Sequence, residues 1–141
     1  MAEAKAKRLE FAVSLDGDWV ASSDRGGRPL PYDEAWTPEH LVLAAAARCT
    51  LTSLEYSLDR AGLTGRARAG ASGVVTRREE DGLFAFVEIE VAIQLELNSE
   101  PPDDALRTLL ARTERGCFVG ASLTAKPRYR WTVNGKEIET T

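Results

Sequence analysis

The sequence predicts an α+β fold: antiparallel sheets packed on one long buried helix, with a second helix behind them. Three observations predict it. A run of small and aliphatic residues from Leu41 to Ala47 continues at helical spacing through Leu51, Leu54 and Leu58. A long two-armed segment follows, folded back at Asp81-Gly82. A second helical pattern opens after Pro101-Pro102 and leads into a last short strand.

The elements follow in order. Leu9, Phe11, Val13 and Leu15 alternate onto one face of a first strand. Asp16-Gly17-Asp18 is a turn, and Trp19-Val20-Ala21 begins the return. Arg25-Gly26-Gly27-Arg28, then Pro29-Leu30-Pro31, form a turning connection.

Thr37-Pro38-Glu39 opens the central helix. The threonine suits a cap, proline suits the first helical position, and the carboxylate favours the positive end of the dipole. From Leu41 to Ala47 the helix is apolar on every side, which predicts burial on every side, within one molecule or between two. Gly62 ends it.

The hairpin goes out from about Thr64 to Arg78. On the return arm Leu83, Ala85, Val87, Ile89, Val91, Ile93, Leu95 and Leu97 alternate with Glu88, Glu90, Gln94 and Glu96. That pattern is a strand dry on one side and wet on the other.

Asp103 and Asp104 mark the first turn of the second helix, and Leu106, Leu109, Leu110, Thr113 and Cys117 share one of its faces. Tyr129, Trp131 and Val133 face one way on the last strand. The chain reads as one domain over residues 1–141, with 1–8 and 136–141 as loose termini.

Composition narrows the function. The net charge is −4, which argues against a nucleic-acid surface. No apolar stretch reaches the length of a membrane span, and no apolar leader is seen at the N-terminus, so a cytoplasmic location is expected. Two cysteines are too few for a disulfide framework, and one histidine argues against a structural zinc site. No metal or bound cofactor is expected.

Cys49 and Cys117 are the two cysteines. If they meet, the protein carries a dithiol able to give two electrons to an oxidant. If they do not, they are core thiols, the commoner use of cysteine. A thiolate needs a nearby positive charge or helix N-terminus. Cys49 lies in mid-helix, so that charge must come from elsewhere; Arg25 and Arg28 are the candidates, with Glu39 able to hold such a side chain by a bidentate pair. In one straight helix, Glu39 and Cys49 lie about 15 Å apart, so an arginine touching both needs a bent helix start or a group from a partner subunit, which argues for a shared site. Cys117 is expected just past the C-terminal turn of its helix, where the dipole disfavours a thiolate. His40, beside Glu39, reads as a surface or capping residue. Trp19, Trp36 and Trp131 read as core or interface.

Thr37-Pro38-Glu39-His40-Leu41, the small-residue helix ending in Ala47-Arg48-Cys49-Thr50, Leu63 with the long hairpin, and Arg115-Gly116-Cys117 resemble the osmotically inducible protein C family and its organic hydroperoxide resistance relatives. The resemblance runs from about Leu9 to Val133. It implies an intertwined α+β homodimer with active sites at the subunit interface. It also implies a thiol-dependent peroxidase acting on organic hydroperoxides. In that cycle Cys49 is similar to the peroxidatic cysteine and Cys117 to the resolving one, while Glu39 is similar to the residue that orients a catalytic arginine. An external thiol of the lipoyl dithiol type would reduce the Cys49–Cys117 disulfide. The chain departs from the family in Cys117-Phe118-Val119-Gly120 and in the arginine, for which Arg28, Arg25 and then Arg8 are candidates. The alternative implied is a non-catalytic member binding an apolar small molecule at the dimer interface.

Overall fold

The computed structural model describes residues 6–140. The chain divides into two compact units, Met1–Thr37 and Pro38–Thr141.

In the first unit, β1 (Val13–Leu15) pairs antiparallel with β2 (Ala21–Ser23). The Asp16 carboxylate closes the turn between them, accepting from the N–H groups of Asp18 at 2.9 Å and Val20 at 3.0 Å. Leu30 bridges back to Ala21. Trp19 meets Tyr32 edge to face, with ring centroids 5.3 Å apart. The predicted apolar ladder Leu9, Phe11, Val13 and Leu15 is present, but all four side chains are exposed. So small a unit has no core in which to bury them.

The second unit begins with α1 (Pro38–Ala61). Gly62 takes a positive φ of 70°, and the Leu63 N–H reaches back to the Leu58 carbonyl at 2.9 Å, which stops the helix at the predicted residue. Burial on every side is not observed in the single chain. Ala46, Thr50, Leu54 and Leu58 are buried at i, i+4 spacing, whereas Leu41 is 46% exposed. One sheet and two helices cover one stripe of α1, and its other flank is open.

β3 (Gly65–Arg77), β4 (Phe84–Leu97), β5 (Arg128–Val133) and β6 (Lys136–Ile138) form one sheet in that order. The hairpin β3–β4 and the pair β5–β6 are antiparallel, but β5 runs parallel to β4. The expectation of purely antiparallel sheets is therefore corrected. Between β4 and β5 the chain makes α2 (Asp103–Arg115) and α3 (Phe118–Ser122), and a helical crossover returns a strand in the same direction.

Predicted alternation holds along half of β4. Ile89, Val91, Ile93, Leu95 and Leu97 are buried, and Trp131 and Val133 on β5 extend the same dry face. It fails toward the hairpin tip, where Val74 pairs with Glu88 and Val75 with Phe86. This bulge sets Val87 out of the ladder, turning Phe86 toward the core and exposing Val87 and Leu83. The tail from Lys136, expected to be loose, is instead β6, and Thr140 donates to the Glu114 carboxylate at 2.7 Å. The same carboxylate accepts from the Trp131 indole at 3.0 Å, which explains why the tail is held.

The core lies between the β4–β5 face, the buried stripe of α1, and Leu106, Leu109 and Leu110 of α2. At its edge α1 and α2 approach closely. The Ser53 hydroxyl donates to the Thr113 carbonyl at 2.7 Å, and a Cβ on Gly116 would lie 2.7 Å from that hydroxyl oxygen. This contact brings the end of α2 against the middle of α1.

Candidate functional site

Cys49 and Thr50 stand in mid-α1, at the level where α2 ends. The chain leaves α2 through Gly116 and turns at once into α3, with Cys117 as its N-cap. The Cys117 sulfur accepts from the Gly120 N–H at 3.3 Å, and the Thr50 hydroxyl oxygen lies 3.8 Å from the sulfur. Cys117 is buried and Cys49 half-buried; both thiols are free. The Cys49 thiol is in hydrogen-bonding reach of Cys117 and of the backbone N–H groups of Val119 and Phe118. The two cysteines therefore meet.

Sequence reasoning placed Cys117 at the negative end of a helix. It does follow such an end, but it also opens the next helix, and its sulfur takes a backbone donor there. The short break at Gly116-Cys117 is what separates the two situations.

Burial acts most strongly on Cys49 and pushes its thiol above the ordinary range. The N–H of Val119 opposes this, the neighbouring Cys117 adds to it, and the N–H of Phe118 opposes it more weakly.

Tyr129 was not foreseen at this site. Its ring leans from β5 onto α3, and its hydroxyl contacts Cys117 and Thr50. Burial first, then the adjacent sulfur, pushes its ionisation well above the phenol range, so the hydroxyl stays protonated. A Cβ on Gly120 would lie 2.7 Å from this oxygen and 3.4 Å from the Cys117 sulfur, so only glycine leaves both their places. On the last strand Tyr129 shares a face with Trp131 and Val133 and looks like another core residue in sequence.

Glu39 is exposed in the first turn of α1, ten residues before Cys49; the helical rise puts about 15 Å between them. Arg25 and Arg28 belong to the first unit, where the Arg25 guanidinium stacks 4.7 Å from the centroid of the Phe11 ring. Arg8 pairs with Glu10 at 3.6 Å. His40 is exposed; Trp131 is buried, whereas Trp19 and Trp36 are exposed. Among the described residues, no group of three or more His, Cys, Asp or Glu is placed to hold a metal ion, and no helix is long and apolar enough to cross a membrane.

Residues 31–132 match the family described as OsmC-like protein. That span contains Glu39, Cys49 and Cys117, and begins after Arg25 and Arg28. Solved structures with the same fold include an OsmC-like protein of unknown function from Vibrio cholerae. It has a TM-score of 0.70 at 12% identity, over 89% of this chain and 99% of that one. An organic hydroperoxide resistance protein of Bacillus subtilis aligns with a TM-score of 0.58 at 17% identity, over 89% and 98%. An OsmC-like protein of Mycoplasma pneumoniae aligns with a TM-score of 0.65 at 15% identity, over 92% and 98%. Comparison with curated protein sequences returns no match.

Proposed function

This chain belongs to the OsmC-like protein family, and on that premise we propose that it is a thiol-dependent peroxidase that reduces organic hydroperoxides. One observation carries the reading: a half-exposed Cys49 faces a buried Cys117, with two backbone N–H groups in reach of the first sulfur. The family's organic hydroperoxide resistance proteins support the substrate class.

The cycle has three steps. The Cys49 thiolate attacks the outer peroxide oxygen; the O–O bond breaks, the alkoxide leaves and takes a proton as an alcohol, and Cys49 becomes a sulfenic acid. The Cys117 sulfur then attacks the Cys49 sulfur, releasing water and forming the disulfide. An external dithiol of the lipoyl type donates two electrons and two protons to restore both thiols. The chain's own sulfurs carry the electrons, so no bound cofactor enters.

Glu39 and an arginine, Arg28 or Arg25, complete the site in a homodimer. The helical distance from Glu39 to Cys49 supports a shared site. So does the apolar surface each unit leaves uncovered: Leu9, Phe11 and Val13 in the first, Leu41, Val74 and Val75 in the second. Sedimentation of the purified protein tests this, and a monomer at micromolar concentration defeats it.

Burial of Cys49 favours a second reading, a slow thiol in a protein that binds an apolar small molecule at the dimer interface. One experiment separates the two. After one equivalent of cumene hydroperoxide, the peroxidase loses both thiols and yields one Cys49–Cys117 disulfide by mass spectrometry. Two thiols still free after minutes favour the binding protein.

A further inference from the structure

The hydroxyl of Tyr129 has no part in the cycle above, yet it sits against the buried sulfur. Besides the Cys49 thiol, three groups surround that sulfur. The Gly120 N–H donates to it at 3.3 Å, the Thr50 hydroxyl oxygen lies 3.8 Å away, and the Tyr129 hydroxyl contacts it from β5. Thr50 has one proton, and the Ala46 carbonyl at 2.8 Å competes for it. Tyr129 is thus the side-chain donor whose proton is most available to the sulfur. The missing Cβ of Gly120 leaves the space that lets the phenol oxygen and the sulfur stand side by side.

We propose that Tyr129 is a positioning residue for Cys117: with the Gly120 N–H, its hydroxyl donates to this sulfur as charge develops on it when the S–S bond breaks, and so directs an external thiol to the Cys49 side of the disulfide. The step balances. The thiolate of the reductant attacks the Cys49 sulfur, the S–S bond breaks, and its electron pair leaves on Cys117. A mixed disulfide remains on Cys49. The second thiol of the dithiol then attacks that bond and releases the Cys49 thiolate, and the two protons of the dithiol end on the cysteines. The better leaving group departs faster, so the donors around Cys117 decide which sulfur is attacked. Access points the same way, because Cys49 is the half-exposed sulfur.

The direction of attack rests on the disulfide cycle proposed above; the hold on Cys117 does not. Its test therefore uses no peroxide. In full-length Cys49→Ser protein, the Cys117 thiolate is titrated by its absorbance at 240 nm. Tyr129→Phe removes one hydroxyl and keeps the ring, and is expected to raise the midpoint by about one pH unit, a net charged hydrogen bond's worth. Placing 3-fluorotyrosine at position 129 strengthens the donor without changing its shape, and is expected to lower the midpoint. A group that only fills space would not move the titration in opposite directions. A midpoint unmoved in the fluorinated protein overturns the proposal, including where Tyr129→Phe does not fold. In otherwise unaltered, oxidised protein, 2-mercaptoethanol is expected to leave its adduct on Cys49, and an adduct on Cys117 overturns the directing role.

Discussion

The two sulfurs stand side by side in very different surroundings. Cys117 is buried, caps α3 and takes a backbone N–H; Thr50 and Tyr129 close around it. Cys49 is half-exposed on a helix whose other flank is open, and its burial outweighs the two N–H groups that favour its anion. The polar support thus gathers at the inner sulfur, and the access at the outer one. A dithiol that must meet both an oxidant and a reductant from solution needs this division. In the proposed cycle the outer sulfur meets both reagents, and the inner one is the leaving group.

The largest effect that tests this division is loss of one sulfur at a time. Cys49→Ser is expected to abolish hydroperoxide consumption, by at least a hundredfold, because the remaining thiol is shut away. Cys117→Ser is expected to oxidise to a sulfenic acid on Cys49, trapped by dimedone, with no internal disulfide. Stopped-flow loss of peroxide and mass spectrometry of the product check both. Equal loss in the two variants would erase the distinction between the sulfurs.

Next in size is pH. The Cys49 thiol is raised, so at neutral pH most of it is protonated, and its reactive fraction grows as pH rises. Oxidation of the isolated chain is expected to accelerate about tenfold per pH unit up to the Cys49 midpoint. The same sign applies to stability. A thiol whose folded value lies above its unfolded value stabilises the fold at low pH, and that contribution fades as pH passes the unfolded and then the folded value. A rate that already levels off below pH 8 would show that a cation such as Arg28 or Arg25 reaches Cys49 in the assembled protein.

Much of this arrangement was legible in the sequence, and the misses share one cause. Leu106, Leu109, Leu110 and Thr113 are buried as their spacing predicted, as are Ile89, Val91, Ile93, Leu95 and Leu97. Periodicity reports which face is dry, and those residues need nothing more. The bulge at Val74/Val75 was invisible, since Leu83, Ala85 and Val87 keep the period while the partner strand slips by one. The parallel β4–β5 pair was also hidden, because strand direction depends on where the crossover delivers the chain. Cys49 and Cys117 were singled out by scarcity and family resemblance, and the fold brings them together. Tyr129 was missed because its function depends on its phenol oxygen meeting a residue twelve positions away across α3, and no local spacing encodes that meeting.

Gly120→Ala perturbs the inner sulfur's surroundings directly. The new Cβ would lie 2.7 Å from the Tyr129 oxygen, 3.4 Å from the Cys117 sulfur and 3.6 Å from Pro127, so the phenol must move. Overpacking of this kind costs about 1–3 kcal/mol, while alanine in a helix recovers about 0.5–1 kcal/mol. A net loss of about 1–2 kcal/mol is expected in urea unfolding. An unchanged midpoint of unfolding would mean that Tyr129 is free to swing away.

The smallest effects sharpen the comparison most, because they ask about packing alone. Cys117→Ala removes a fully buried sulfur and leaves the Gly120 N–H without its acceptor. Lost capping and a small cavity together cost about 1–2 kcal/mol. Cys49→Ala removes a half-exposed sulfur from a helix in which alanine is the favoured residue, so its change is expected to stay within about 0.5 kcal/mol. The two substitutions delete the same atom from neighbouring sites, so the difference between them measures the surroundings. If Cys49→Ala proves as destabilising as Cys117→Ala at concentrations where the protein is associated, the outer sulfur is buried by a second copy of the chain. Dilution should then bring the difference back.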